Sequence, residues 1–185
     1  MALPPTIHRV HLELTDVDRG VYQTLDLRLA RHPSETVRFM VLRVLAYALS
    51  YEDGLTFSKD GLNDPDAPPL SVTDPTGLLL RWIDVGSPSA ERLHKASKAA
   101  RAVDLYTSAD LTALRREMRK ATVHRIEDIA VWRFEPSFIA AIESHVGRET
   151  RLALTRTEGA VYVTIGGETL EARLERQSLT EAVDP

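Results

Sequence analysis

Leu78-Leu79-Leu80-Arg81-Trp82-Ile83-Asp84-Val85-Gly86 reads as a strand without a solvent side. Alternation puts Leu78, Leu80 and Trp82 on one face and Leu79, Ile83 and Val85 on the other. Two apolar faces place such a strand at the centre of a sheet. Asp84 closes it on the face of Leu80 and Trp82, where a bare carboxylate costs several kcal/mol. Such a group is paired, hydrogen-bonded or metal-bound, or else sits at the strand's exposed end. Gly86 follows, and Ser87-Pro88-Ser89 opens a helix.

Upstream, Asp74-Pro75-Thr76-Gly77 has Pro second and Gly last, a turn tetrapeptide that pairs Leu70 to Thr73 with the central strand. A hairpin turning between Pro75 and Thr76 sets Asp84 opposite position 67, one residue from Asp66. Asp60 to Pro69 is a loop by composition, and Leu55 to Ser58 a short strand. Pro33-Ser34 opens a helix to about Ser50, with Ser34 as N-cap and Val37, Met40, Val41, Val44, Leu45 and Ala48 as its apolar stripe. Downstream come a helix to about Ala102, a strand at Val103 to Tyr106, a helix at Ala109 to Ala121, a strand at Ile129 to Phe134 and a helix at Pro136 to Val146. Thr6 to Leu14 and Tyr22 to Ala30 form a hairpin around Asp16 to Gly20. Arg151 to Thr157, Ala160 to Ile165 and Thr169 to Glu175 form a meander. The fold class is α+β, a mixed β-sheet with flanking helices. The extra N- and C-terminal strands extend that sheet or pack beside it as a small barrel.

The 185 residues suit one domain over 1–176, with 177–185 expected to fray. Hydrophobic residues make up 43% and charged residues 27%, an ordinary globular balance. With no cysteine there are no disulfides, thiolate nucleophiles or cysteine metal sites, which suits a reducing cytosol. Met1 to Pro5 lacks signal-peptide character, and no apolar run nears ~20 residues, so the expectation is a cytoplasmic protein off the membrane. The net charge of −4 argues against general nucleic-acid affinity. Even so, Arg92, Lys95, Lys98, Arg101, Arg115, Arg116, Arg119 and Lys120 concentrate on two successive helices, as a phosphate-tracking face or as plain solubility. Glu91, Asp104, Asp110 and Glu117 dilute them. Oligomeric state has no signature here.

Asp84 and Asp66 are the candidate site. Two carboxylates brought together can hold Mg²⁺, a hard cation that takes oxygen ligands. As a solvated turn residue Asp66 needs no such role. Lys95 lies on the helix after Asp84, on a stripe with Arg92 and opposite Leu93, Ala96, Ala100 and Val103, and could reach the carboxylates from above. Glu35 falls in the first turn of the first helix, where the helix dipole favours an acid whatever the function. No zinc spacing joins the histidines, no glycine-rich loop opens a helix, and no serine sits in a nucleophile elbow.

Leu29-Ala30-Arg31-His32-Pro33-Ser34-Glu35-Thr36, Trp82-Ile83-Asp84-Val85-Gly86-Ser87-Pro88 and Arg92-Leu93-His94-Lys95-Ala96-Ser97 resemble the YaeQ family, as do Ile129-Ala130-Val131-Trp132 and Leu152-Ala153-Leu154-Thr155. The resemblance runs in order from Ala2 to about Glu175. It implies a cytosolic bacterial protein with a variant of the PD-(D/E)XK nuclease core. In active members of that superfamily two acids on successive strands bind Mg²⁺ and a lysine positions the attacking water. Carried over, Asp66 and Asp84 are the metal ligands, Lys95 the lysine and Glu35 an additional acid. The chain departs from the pattern where the lysine should stand two residues after the second acid, at Gly86. It also has aspartate where the family usually has glutamate. Two functions follow from the resemblance: a Mg²⁺-dependent phosphodiesterase acting on nucleic acid, or a non-catalytic nucleic-acid or protein-binding module that keeps the acidic centre.

Overall fold

The computed structural model describes residues 4–58, 64 and 66–180. In order these form β1 (Thr6–Asp16), β2 (Val21–Arg31), α1 (Val37–Leu49), β3 (Leu55–Phe57), β4 (Leu70–Thr73), β5 (Leu79–Val85), α2 (Ala90–Ala99) and β6 (Ala102–Thr107). Then come α3 (Leu111–Met118), β7 (Ala130–Arg133), α4 (Pro136–Glu143), β8 (Glu149–Thr157), β9 (Ala160–Ile165), β10 (Glu168–Arg173) and β11 (Arg176–Gln177).

The N-terminal hairpin and the β8–β10 meander neither extend the central sheet nor close a barrel; of the terminal strands only the short β11 joins that sheet. Hairpin and meander make a first sheet of their own, in the order β10-β9-β8-β1-β2, and the second sheet runs β11-β7-β6-β5-β4-β3. Both are mixed: β1 runs parallel to β8, and β5, β6 and β7 run parallel to one another. The expected central strand, β5, lies inside the second sheet between β4 and β6.

α1 explains the stacking. Its residues Met40 to Ala46 are all buried, together with Ala48 and Leu49, and of the whole helix only Arg38 is exposed, so it is apolar nearly all round. One core cluster joins it to Val10, Leu12 and Leu14 of the first sheet, Ile83 and Val85 of the second, and Phe138 and Ile139 of α4. The opposite face of the second sheet carries Trp82, Leu105 and Val131 against Leu93 and Ala96 of α2 and Leu114 and Met118 of α3. The layers are therefore first sheet, α1 with α4, second sheet, α2 with α3. Full burial of each large aliphatic side chain contributes roughly 1.5–3 kcal/mol.

Four local expectations change. The cap of α1 is Thr36, whose hydroxyl accepts from the Phe39 N–H, and not Ser34. His32-Pro33-Ser34-Glu35 is a turn closed by Glu35 N–H to His32 O at 2.9 Å, so Glu35 precedes the helix. In the β4–β5 hairpin Leu70 faces Ile83 and Ser71 faces Trp82, with a register shift between Val72 and Thr73. That irregularity turns Leu79 to the α2 side and Leu80 to the α1 side, the reverse of strict alternation. The chain beyond residue 176 does not fray at once. Arg176 and Gln177 pair with β7, and Leu179 is buried beside α3; 181–185 lie outside the described residues.

The two hairpins of the first sheet are tied by Asp18. Its carboxylate accepts the Glu158 N–H at 2.6 Å and the Gly159 N–H at 3.0 Å in the β8–β9 turn, where both residues have positive φ. Those amides, Gly159 first, and the Arg156 guanidinium hold its carboxyl below the usual 3.8. A depressed carboxyl stabilises the fold fully above its unfolded value and loses that contribution as pH falls through the folded one. Thermal melts should therefore place Asp18→Ala below wild type at neutral pH, with the gap closing as pH falls below the ordinary 3.8 and through the depressed folded value. A gap that persists there would point to lost packing instead.

Candidate functional site

β5 ends under α2. Trp82 and Asp84 both point to that side, and Asp84 is buried. Its Oδ2 accepts Arg92 Nε at 2.6 Å and the Trp82 indole N–H at 3.1 Å, while Oδ1 accepts the Val85 N–H at 3.0 Å. The Arg92 guanidinium also stands 5.4 Å from the Trp82 ring centre and donates to Ala67 O at 3.0 Å. One arginine thus ties the carboxylate at the end of β5 to the loop that carries Asp66. Three residues along α2, Lys95 Nζ meets Asp66 Oδ1 at 2.5 Å, with the two side chains 48% and 70% exposed.

The sequence-derived residues therefore divide. Asp66, Asp84 and Lys95 converge on one end of α2 and the 66–67 loop. Each carboxylate already has its own cation, however, and Lys95 serves Asp66 while Arg92 serves Asp84. Glu35 stands apart in a buried pair: Arg43 Nε and Nη2 donate to its two oxygens at 2.9 and 3.0 Å, and the His32 N–H donates at 3.2 Å. Burial pushes the Glu35 carboxyl above its usual range, with Arg43 pulling against it. It holds the entry to α1 and does not belong to the acidic centre.

Gly86, at the position where a lysine was expected, has φ +84°. Any L side chain in that left-handed region is strained by roughly 1–2 kcal/mol. The backbone turn that leads into Ser89, the cap of α2, therefore disfavours a lysine at this position.

A divalent cation does not fit this donor set as it stands. Both oxygens of Asp84 are engaged by donors, and a metal would have to displace Arg92. Among the described residues no three His, Cys, Asp or Glu side chains gather as a metal site. Nor, among those residues, is any helix long and apolar enough to cross a membrane.

A second polar cluster escaped the sequence reading. Buried Asp104 of β6 accepts Arg81 Nη2 at 2.7 Å and the Trp132 indole N–H at 3.0 Å, and Arg81 also pairs with Glu52. Beside it, Asp16 at the end of β1 is fully buried against Arg19 Nε at 2.6 Å, and Arg19 donates on to Ala48 O and Tyr51 O past the end of α1. Arg156 links the two halves, 3.9 Å from Asp16 and 5.9 Å from the Trp132 ring centre. These contacts fasten the first sheet to the second around the end of α1. The signal was available: Asp104 interrupts the apolar strand Val103-Asp104-Leu105-Tyr106, as Asp84 does its own.

The sequence model of the YaeQ protein family matches residues 1–174. The uncharacterised protein YaeQ of Escherichia coli (strain K12) is 29% identical over 175 residues, 94% of this chain and 96% of that one. Its counterpart in Salmonella typhi is 30% identical over 176 residues, with the same coverage. The crystal structure of a YaeQ protein from Pseudomonas syringae superposes with a TM-score of 0.87 at 31% identity, covering 96% of this chain and 98% of that chain. The YaeQ protein from Xanthomonas axonopodis pv. citri gives 0.84 at 28% identity, covering 94% and 98%.

Proposed function

This chain belongs to the YaeQ family, and from that premise we propose that it is a nucleic-acid-binding module that grips phosphates without cutting them. What supports this most is the contrast between the two sides of the α2 layer. Inward, Asp84 is closed by Arg92, Trp82 and a backbone amide. Outward, Lys95, Lys98, Arg101, Arg116, Arg119 and Lys120 are exposed on α2, α3 and their flanks. Residues 90–125 hold nine Lys and Arg against four Asp and Glu, in a chain with 23 against 27. Local excess of this kind attracts a phosphate backbone even when the net charge is negative.

A Mg²⁺-dependent phosphodiesterase is the second reading, favoured by the convergence of Asp66, Asp84 and Lys95. One experiment separates the two. Fluorescence anisotropy with labelled single- and double-stranded DNA and RNA, with and without Mg²⁺, is run alongside a cleavage gel. Binding should need no metal and should weaken steeply between about 50 and 200 mM salt. Reversing Lys98, Arg101, Arg116 and Arg119 to glutamate should weaken it at least tenfold. Mg²⁺-dependent cleavage that disappears in Asp84→Ala would reject the binding-only function in favour of the second.

A further inference from the structure

We propose that the open face of the first sheet carries a separate site for a phosphoryl group, centred on Arg28 and Arg151. Among the described residues no helix or strand covers that face: inward positions Val10, Leu12 and Leu14 of β1 are buried, while the alternating Arg9 and Glu13 are exposed and His11 is partly so. Across β8, β1 and β2 the outward side chains line a groove of about 760 Å³, with Arg9, His11, Asp26, Arg28, Glu149 and Arg151 around it. A second hollow of about 280 Å³ shares His11 and Arg151 and continues past Glu13 and Ala153 to Thr164 and Gly166-Gly167. Together they offer room for a phosphate and the body attached to it.

The register makes the charge pattern unusual. Arg9 stands directly across from Arg28, and His11 directly across from Arg151. Like charges placed directly across strands, as Arg9 and Arg28 are, destabilise a sheet. Two acids offset only part of this. Glu149 meets Arg9 at 3.6 Å and Asp26 meets His11 at 2.5 Å. Among the described residues the Arg28 and Arg151 side chains have no hydrogen bond or ion pair, so two forked guanidinium groups flank the groove with no carboxylate bound to either. A phosphate oxygen pair satisfies such forks bidentately and removes the repulsion that the register creates. Glu13 faces only the smaller hollow, where it would disfavour a second anion and confine the phosphoryl group to the Arg28 end.

The test is a two-dimensional NMR titration of the full chain with inorganic phosphate. It is repeated with a 5′-phosphorylated tetranucleotide and with the same tetranucleotide lacking that phosphate. Saturable shifts confined to β1, β2 and β8 are expected, weakened at least tenfold in Arg28→Gln/Arg151→Gln. They should be unchanged when the α2 and α3 cations are reversed, which keeps this site distinguishable from the helix face. Equal binding of phosphate and the phosphorylated tetranucleotide would assign small phosphorylated ligands; preference for the tetranucleotide would assign a strand end. Unsaturable shifts, or binding undiminished in the glutamine variant, would overturn the site. So would full binding in Arg28→Lys/Arg151→Lys, which keeps the charge but loses the fork. All substituted side chains are exposed, so circular dichroism should show an unchanged fold.

Discussion

Arg43→Ala is expected to lower folding stability by about 3–5 kcal/mol, the typical result of stranding one partner of a buried ion pair. Few single substitutions in a domain of this size do more, since total stability is about 5–15 kcal/mol. Arg43 and Glu35 are both buried, and the arginine also donates to Ala30 O at 3.1 Å and stands 5.8 Å from the Phe57 ring centre. Removal of the guanidinium leaves a buried carboxylate with the His32 N–H and the Arg31 charge as its remaining support, beside a cavity. Urea unfolding would measure the loss, with a fall in melting temperature of roughly 10 °C. Replacing both groups together, Glu35→Gln with Arg43→Met, should recover more than half of the loss, because the penalty arises from the orphaned charge. A single variant within 1 kcal/mol of wild type would mean that water reaches the pair.

The acidic centre should give the second largest effect, and its order is informative. Arg92→Ala removes the cation from buried Asp84 and is expected to cost about 3 kcal/mol. Asp84→Ala leaves the Trp82 indole N–H unpaired but keeps Arg92 in reach of water, for about 1–3 kcal/mol. Lys95→Ala and Asp66→Ala remove an exposed pair and should stay below about 1 kcal/mol. Guanidinium chloride midpoints for the four variants would check the ranking. The opposite sign at Asp84, a gain in stability on substitution, is what a carboxylate held ready for a ligand would give, and would support the phosphodiesterase.

The secondary structure was legible because its signals are local. The alternation of β1 and β2, the Asp74 to Gly77 turn and the apolar stripe of α1 each identify an element from neighbours within a few residues. What failed was set by distance. That β1 pairs with β8 depends on a contact between residues about 140 positions apart, as in Arg9 with Glu149, and no local pattern carries it. Ser34 lost the cap to Thr36 because Pro33 closes a turn first, and Glu35 was then free to turn inward to Arg43. At the site, the suspicion that Asp84 is a buried carboxylate needing partners was correct. Its partner Arg92 was read as a surface charge on the same stripe as Lys95, since helical spacing alone does not say which of two cations reaches further in. The Asp104 cluster was missed because its aspartate was counted with the helix charges instead of with its strand.

The place of β1 between β2 and β8 has a consequence for how the chain is made. On the ribosome the β1–β2 hairpin emerges well before β8, whose paired residues follow about 140 positions later, and cannot complete its sheet until β8 is free. Until then the β1 edge is unpaired as well as that of β2, and one apolar face is uncovered, the features that draw other chains into aggregates. Closure by so distant a partner also slows folding, since loop entropy must be overcome before the pairing contributes. Chaperone dependence during synthesis, more than the finished protein's stability, should therefore set how much soluble material a cell obtains.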